Sequence, residues 1–465
     1  MRRFIMLVLA VGLLFLFTAC GLLGNGNEGG GDNITEPGGE NSSTETPPSD
    51  TPTSVLPSTQ DEYNPRPSWP EPPLSDFEYS FVAELGGYEI TAYTGNWSSV
   101  LIPAIIDEHI VAAIGERAFE KNDMTDVYIP NSVTLISEHA FYECQNLTSV
   151  TIPYNIASIA DGTFAGCVNL TSITFSDSLI SIGDVAFFRC SSLTSITLPD
   201  NLTSIGDGVF TWCTSLVDIN VSPGNVHFMS EGGVLYNIDQ SAIVQYPAGK
   251  AEDSFSIPDN VKMIGRSAFR DAGKLSGIRL PAGLADIGER AFASCTSLTS
   301  ISLPDGLASI GDWAFTSCTS LTSVSFPNSL ISIGDGAFAS CTSLTSVSLP
   351  NSLISIGEMA FASCTSLTSV SLPDSIISIG KRVFSYCSRL ASITIPNSVN
   401  AIGEGTFYEA TNLRDVYFVS STPPSVDPAA FYAISSDARA IVPNAAAYGG
   451  EGANWHGLIV TQAEG

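Results

Sequence analysis

The pair Ala-Phe, or Thr-Phe or Val-Phe in its place, recurs down this chain and ends at Phe119, Phe141, Phe164, Phe187, Phe210, Phe269, Phe292, Phe315, Phe338, Phe361, Phe384 and Phe407, almost always 23 residues apart. The one large break, 59 residues from Phe210 to Phe269, equals one 23-residue step plus 36 inserted residues, so the count survives it. A period in this range marks a solenoid, in which each unit contacts only its neighbours. Such a stack offers a long regular surface and few places where unlike groups converge.

One repeat, LTSISLPDGLASIGDWAFTSCTSL from Leu298 to Leu321, shows how a unit folds. Ile301 and Leu303 lie on one face of a short strand, with Ser300 and Ser302 on the other. Pro304 lacks an N–H and ends the strand, and Asp305-Gly306 supplies turn chemistry. Leu307 to Ile310 then returns as a second extended piece. Gly311 is read as a positive-φ turn position. Asp312 to Cys318 is read as one short helical turn, with Asp312 at its start and Phe315 facing inward. A single unit cannot bury its apolar face, but copies stacked at about 4.8 Å form continuous Leu, Ile, Phe and Cys ladders.

The form LxxIxLPxxLxxIGxxAFxxC resembles the bacterial BspA-like, or Treponema-type, leucine-rich repeat family over about 100–431. That resemblance implies a β-rich leucine-rich repeat solenoid in which Phe228 to Tyr236 and Ile243 to Pro247 form a β-hairpin rung within the insertion. It implies a degenerate closing rung around Pro423-Pro424 and Val442-Pro443. It also implies an adhesive or interaction role. Independently, the β-rich runs on either side of Asn237 to Gln240 are a hairpin signal. The rough alternation of Tyr79, Phe81, Tyr88, Ile90 and Tyr93 predicts a capping strand pair.

Arg2-Arg3, the apolar run Phe4 to Phe17 and Thr18-Ala19-Cys20 read as a secretory signal, the run falling short of the ~20 apolar residues that span a bilayer. The small residues before Cys20 look like a lipobox, which makes Cys20 the expected lipidation site, although Phe17 departs from the usual Leu or Val. The expected organisation is a signal over 1–19, a lipidated Cys20 with a disordered Pro/Ser/Thr/Gly-rich tether over 20–75 and an N-terminal β cap over 76–98. A solenoid over 99–431, with its insertion at about 222–257, and a C-terminal cap and tail over 432–465 complete it. This arrangement predicts an exported protein, held to a membrane only through lipid and displayed at the cell surface.

Acidic residues outnumber basic ones 47 to 18, which argues against nucleic acid as a partner. Glu116, Asp184, Asp207, Glu289, Asp312, Asp335, Glu358 and Glu404 occupy one repeat position and should stack along a solvated edge. Nine cysteines, Cys144, Cys167, Cys190, Cys213, Cys295, Cys318, Cys341, Cys364 and Cys387, sit three residues after the repeat Phe. Because Ala272 and Ala410 fill the same slot, these are expected as buried free thiols rather than disulfides. No motif for a metal site, cofactor or catalytic triad is present. A repeat supplies the same group at every rung, whereas catalysis needs different groups at one point.

The expected function is therefore non-catalytic: engagement of an extracellular protein or glycoprotein by a monomeric surface protein. A passive stalk is the alternative, and an ice- or crystal-binding lattice a remote third. Residues that break the repeat distinguish a binder from a stalk. Phe188, Trp212, Trp313 and Tyr386 are aromatic exceptions. Lys262, Arg266, Arg270, Lys274, Arg279 and Arg290 form a basic run after the insertion, expected at the surface, where neighbouring acids either leave them free for a partner or pair with them.

Overall fold

The computed structural model describes residues 63–464. Cys20, the leader and most of the tether lie outside the described residues.

Each rung runs through two parallel strand ladders and one turn edge. Ser300–Ser302 pairs in register with Ser323–Ser325, setting Ile301 over Val324. Ser309–Ile310 pairs with Ser332–Ile333, which pairs with Ser355–Ile356. Leu307, Ile310, Phe315, Cys318 and Leu321 all point into the core. The repeat phenylalanines form one stack, Phe292, Phe315 and Phe338 following at 5.0 and 5.2 Å between centroids with planes 5° and 3° apart. Tyr93 prolongs that stack at one end, 5.3 Å from Phe119, and Phe431 at the other, 5.2 Å from Phe407. The N-terminal strand pair, Phe77–Val82 against Gly87–Tyr93, is thus also the first rung of the aromatic ladder. At the far end Arg439–Val442 and Leu458–Gln462 extend the sheet in parallel, and Asn454–Trp455 folds back on the last strand.

The turn edge departs from the expected helix. Asp312 to Ser317 form successive β-turns. Ala314, Thr316 and Cys318 donate their amides three residues back, to Gly311, Trp313 and Phe315, at 3.3, 3.1 and 3.2 Å. Trp313, Phe315 and Ser317 instead donate to Asp335, Ala337 and Ala339 of the next rung, at 2.6, 2.7 and 2.8 Å. A helix would point all its amides along its own axis and leave nothing to tie rungs together here. The alternation requires left-handed backbone at Trp313 and Ser317, with φ of 58° and 59°. Among the described residues the helical pieces are three short 3-10 turns, Leu74–Asp76, Ala83–Leu85 and Ala445–Tyr448.

Gly311 does not adopt the positive φ expected of it. A Cβ there would lie 2.7 Å from the Gly288 carbonyl carbon and the Ile287 oxygen and 2.8 Å from the Glu289 nitrogen, so glycine is needed for rung-to-rung approach.

One boundary also moves, and one expected strand divides. The chain is already seated on the solenoid at Asn64, a buried residue whose Nδ2 donates to the Ile129 oxygen at 2.9 Å, well inside the expected tether. The insertion holds three antiparallel strands, Phe228–Glu231, Val234–Asn237 and Ala242–Gln245. Gly232 and Gly233, with φ of 56° and 79°, split the single run read over 228–236. Val234 and Tyr236 face the C-terminal half of the core and Leu235 the N-terminal half, so this strand is a septum between two apolar clusters.

Candidate interaction surface

The basic run is mostly consumed by the fold. Arg266 bridges Asp207 at 2.6 Å and Glu289 at 2.8 Å, and Arg290 pairs with the same Glu289. Arg279 pairs with Asp259 at 2.9 Å, and Lys274 Nζ donates to the Gly249 oxygen at 3.0 Å. Arg270 is largely buried, 3.7 Å from the Asp271 carboxylate, and burial lowers its tendency to hold a proton. Lys262 is exposed. Sequence reading placed Arg266, Arg270 and Lys274 together on the surface. The structure corrects this for Arg270, and makes Arg266 and Lys274 parts of a seam.

That seam arises because the insertion rung has no turn edge of its own. Tyr246 takes the phenylalanine slot, 5.1 Å from Phe269, but the chain then crosses directly to Gly249, whose amide donates to the Leu216 oxygen at 2.7 Å. At the turn edge the rung of Phe210 therefore meets the rung of Phe269. The Trp212 amide, which elsewhere would find a next-rung carbonyl, donates to Asp271 Oδ2 at 3.1 Å. Burial raises the pKa of that carboxyl, with Arg270 opposing.

The acidic column does more than face solvent. Asp161, Asp184, Asp312 and Asp335 each accept, through Oδ1, the backbone amide of the equivalent residue one rung later, at 2.7 to 2.8 Å. Among the described residues no group of three or more His, Cys, Asp or Glu is placed to hold a metal ion. The cysteine column is free and buried. Each thiol donates to the phenylalanine carbonyl of the preceding rung, as Cys341 Sγ does to Phe315 O at 3.2 Å. This bond has no counterpart in the sequence reading, which saw the slot only as small and apolar.

Three of the four aromatic exceptions share one feature. Trp212, Trp313 and Tyr386 all occupy left-handed turn positions, with φ of 63°, 58° and 60°, which throw their side chains outward. Trp212 stacks on Phe188 at 6.0 Å, and the Arg189 guanidinium lies 5.2 Å from its ring. Trp313 covers Gly336, whose absent Cβ would fall 2.3 Å from the indole. Tyr386 begins a row that sequence reading missed. Tyr408 lies 5.4 Å from it, and Tyr432, 61% exposed, stacks on Tyr408 at 5.3 Å. The signal was available, since Tyr408 and Tyr432 each follow a core phenylalanine where most rungs carry Ala, Ser or Thr.

The model of the BspA type leucine rich repeat region matches residues 112–232, 249–349 and 309–438. No curated protein matches the chain. A leucine-rich repeat protein of Eubacterium ventriosum shares its fold, with a TM-score of 0.59 and 24% identity over 72% of this chain and 92% of that one. A leucine-rich repeat protein of Bacteroides ovatus is 30% identical over 77% of this chain and 91% of its own, with a TM-score of 0.49. With the matched repeats spanning most of the solenoid, the chain belongs to the BspA-type leucine-rich repeat family.

Proposed function

We propose that this protein is a lipid-anchored surface module that binds an extracellular protein or glycoprotein, and that it catalyses no reaction. The observation that carries this reading is the row Tyr386, Tyr408 and Tyr432, exposed at its two ends and half-buried at Tyr408, on a solenoid whose rungs are otherwise self-similar. Exposed tyrosines combine a large apolar ring with a polar tip and lose little conformational freedom on binding, which suits them to protein interfaces. The basic run supports the reading less, because its charges are spent internally. Trp212 and Trp313 remain as secondary contacts on the same edge.

Two experiments test it. The full chain is used to capture partners from extracellular matrix and serum, and the capture is repeated with Tyr386→Ser and Tyr432→Ser. Serine already occupies the Tyr386 position in the rungs of Phe292, Phe315, Phe338 and Phe361. Specific capture lost in these variants supports the reading, and absence of any captured partner favours the passive stalk. For the anchor, a palmitate analogue should label the wild type and not Cys20→Ala, with equal labelling of both overturning the lipid attachment.

A further inference from the structure

A groove of about 450 Å³ lies between the segment entering at Tyr63 and the turns that follow the first strand of three consecutive rungs. Tyr154, Phe175, Ser176, Asp177 and Asn201 complete its walls. Here the chain differs from the adjoining rungs at three positions. Ser176 stands where the adjoining rungs carry Pro130, Pro153 and Pro199, which removes a ring and leaves a notch. Phe175 replaces the Ile152 and Leu198 of its neighbours. Tyr154 stands where they carry Asn131, Asp177 and Asp200, and its ring is 57% exposed, so packing does not account for it.

The polar groups are equally specific. Ser176 is 5% exposed, and its hydroxyl has no hydrogen-bond partner, an expensive state for a buried polar atom unless a ligand answers it. Asn201 Nδ2 donates to the Asp177 backbone oxygen at 2.8 Å, which leaves the amide oxygen of Asn201 as an acceptor. Asp177 is exposed and forms no ion pair among the described residues. Phe175 is braced against Phe187 at 6.1 Å, its ring held at 60° to that core residue.

We propose that this groove binds a neutral saccharide. A pyranose has an apolar C–H face that lies on aromatic rings and an edge of hydroxyl donors, which is the complement of Tyr63, Tyr154 and Phe175 beside the Asp177 carboxylate and the Asn201 oxygen, with the notch at Ser176 giving the ring room. Acidic sugars are disfavoured by Asp177 and by the chain's net charge of -29. A proline-rich peptide would match the notch in shape, but proline lacks the N–H that these acceptors call for. The site goes beyond the protein-binding reading, since it uses a different edge from the Tyr386 row.

The full chain is probed on an array of neutral oligosaccharides of glucose, galactose, mannose and N-acetylhexosamines, with sialylated and sulfated glycans and a synthetic peptide of residues 45–62 alongside. Binding to a neutral glycan is expected, with affinity at least tenfold lower in Tyr154→Asn and Ser176→Pro. Both variants restore what a neighbouring rung already carries, so unchanged melting temperatures should show that they fold. No neutral glycan bound, binding unchanged in both variants, or preference for acidic glycans or for the peptide would each overturn the proposal. The Tyr386→Ser and Tyr432→Ser variants should keep the glycan affinity, which separates failure of this site from failure of the protein-binding row.

Discussion

The backbone amide of Trp212 donates to the carboxylate of Asp271, 59 residues further along the chain, at 3.1 Å. This side-chain acceptor replaces the next-rung carbonyl that closes every regular turn edge, and it holds two stretches of solenoid together where the insertion rung is too short to reach. Asp271→Ala removes both that acceptor and the counter-charge of the largely buried Arg270. Destabilisation of about 3 kcal/mol or more is expected in urea unfolding. Asp271→Asn retains an acceptor and should lie between that variant and the wild type. Equal stability of all three would mean that the seam is held by the three-stranded insertion alone.

The seam also shows what the sequence could and could not reveal. Ile301-x-Leu303 and the stacked phenylalanines were legible because strand periodicity and a fixed repeat are local patterns. The turn edge was not, since Trp313, Ser317 and Arg290 take left-handed backbone without any glycine to announce it. Their conformation is imposed by hydrogen bonds to the next rung. The burial of Arg270 follows from a turn that is missing two dozen residues upstream, which no window around Arg270 contains.

Reversing the basic run is therefore not a neutral surface change. Arg270→Glu places a second carboxylate beside Asp271 in a largely buried site, and a loss of about 3–5 kcal/mol is expected by thermal or urea unfolding. Lys262→Glu, at an exposed position, should stay within about 0.5 kcal/mol of the wild type. If Arg270→Glu melts like the wild type, the residue is free at the surface after all.

The glycine column offers an internal control on why glycine is there. At Gly311 an added Cβ would meet backbone atoms at 2.7 to 2.8 Å, whereas at Gly380, the same position three rungs later, its nearest neighbour would be the Ile356 oxygen at 3.5 Å. Neither residue has a positive φ. Gly311→Ala should destabilise by about 1–3 kcal/mol through forced separation of the rungs, and Gly380→Ala should be nearly neutral. Equal costs at the two sites would return the explanation to backbone conformation.

The cysteine ladder predicts steep alkaline unfolding. Burial raises the pKa of the Cys213, Cys318 and Cys387 thiols to about 12 from 9.0, and pushes Cys167, Cys190, Cys295, Cys341 and Cys364 well above that ordinary value. A folded-state pKa above the unfolded one contributes stability that is fully present below the unfolded pKa. It is lost as pH rises towards the folded value, because only the unfolded chain releases its protons in that window. At pH 10 each such thiol forfeits on the order of 1 kcal/mol. Over the ladder the loss is on the order of 10 kcal/mol, comparable with the whole stability of a typical domain. The melting temperature should therefore fall sharply between pH 9 and 11 in a reductant that keeps the thiols free. Cys341→Ala should cost about 1 kcal/mol at pH 7 for its small cavity and lost S–H donor, yet become relatively less harmful than the wild-type thiol above pH 10. Thiol titration of the native protein at pH 8 should be slow, with all nine repeat cysteines reacting once denaturant is added. A flat melting temperature across this pH range, or a denatured count far below nine, would show that the column is not a stack of buried, protonated thiols.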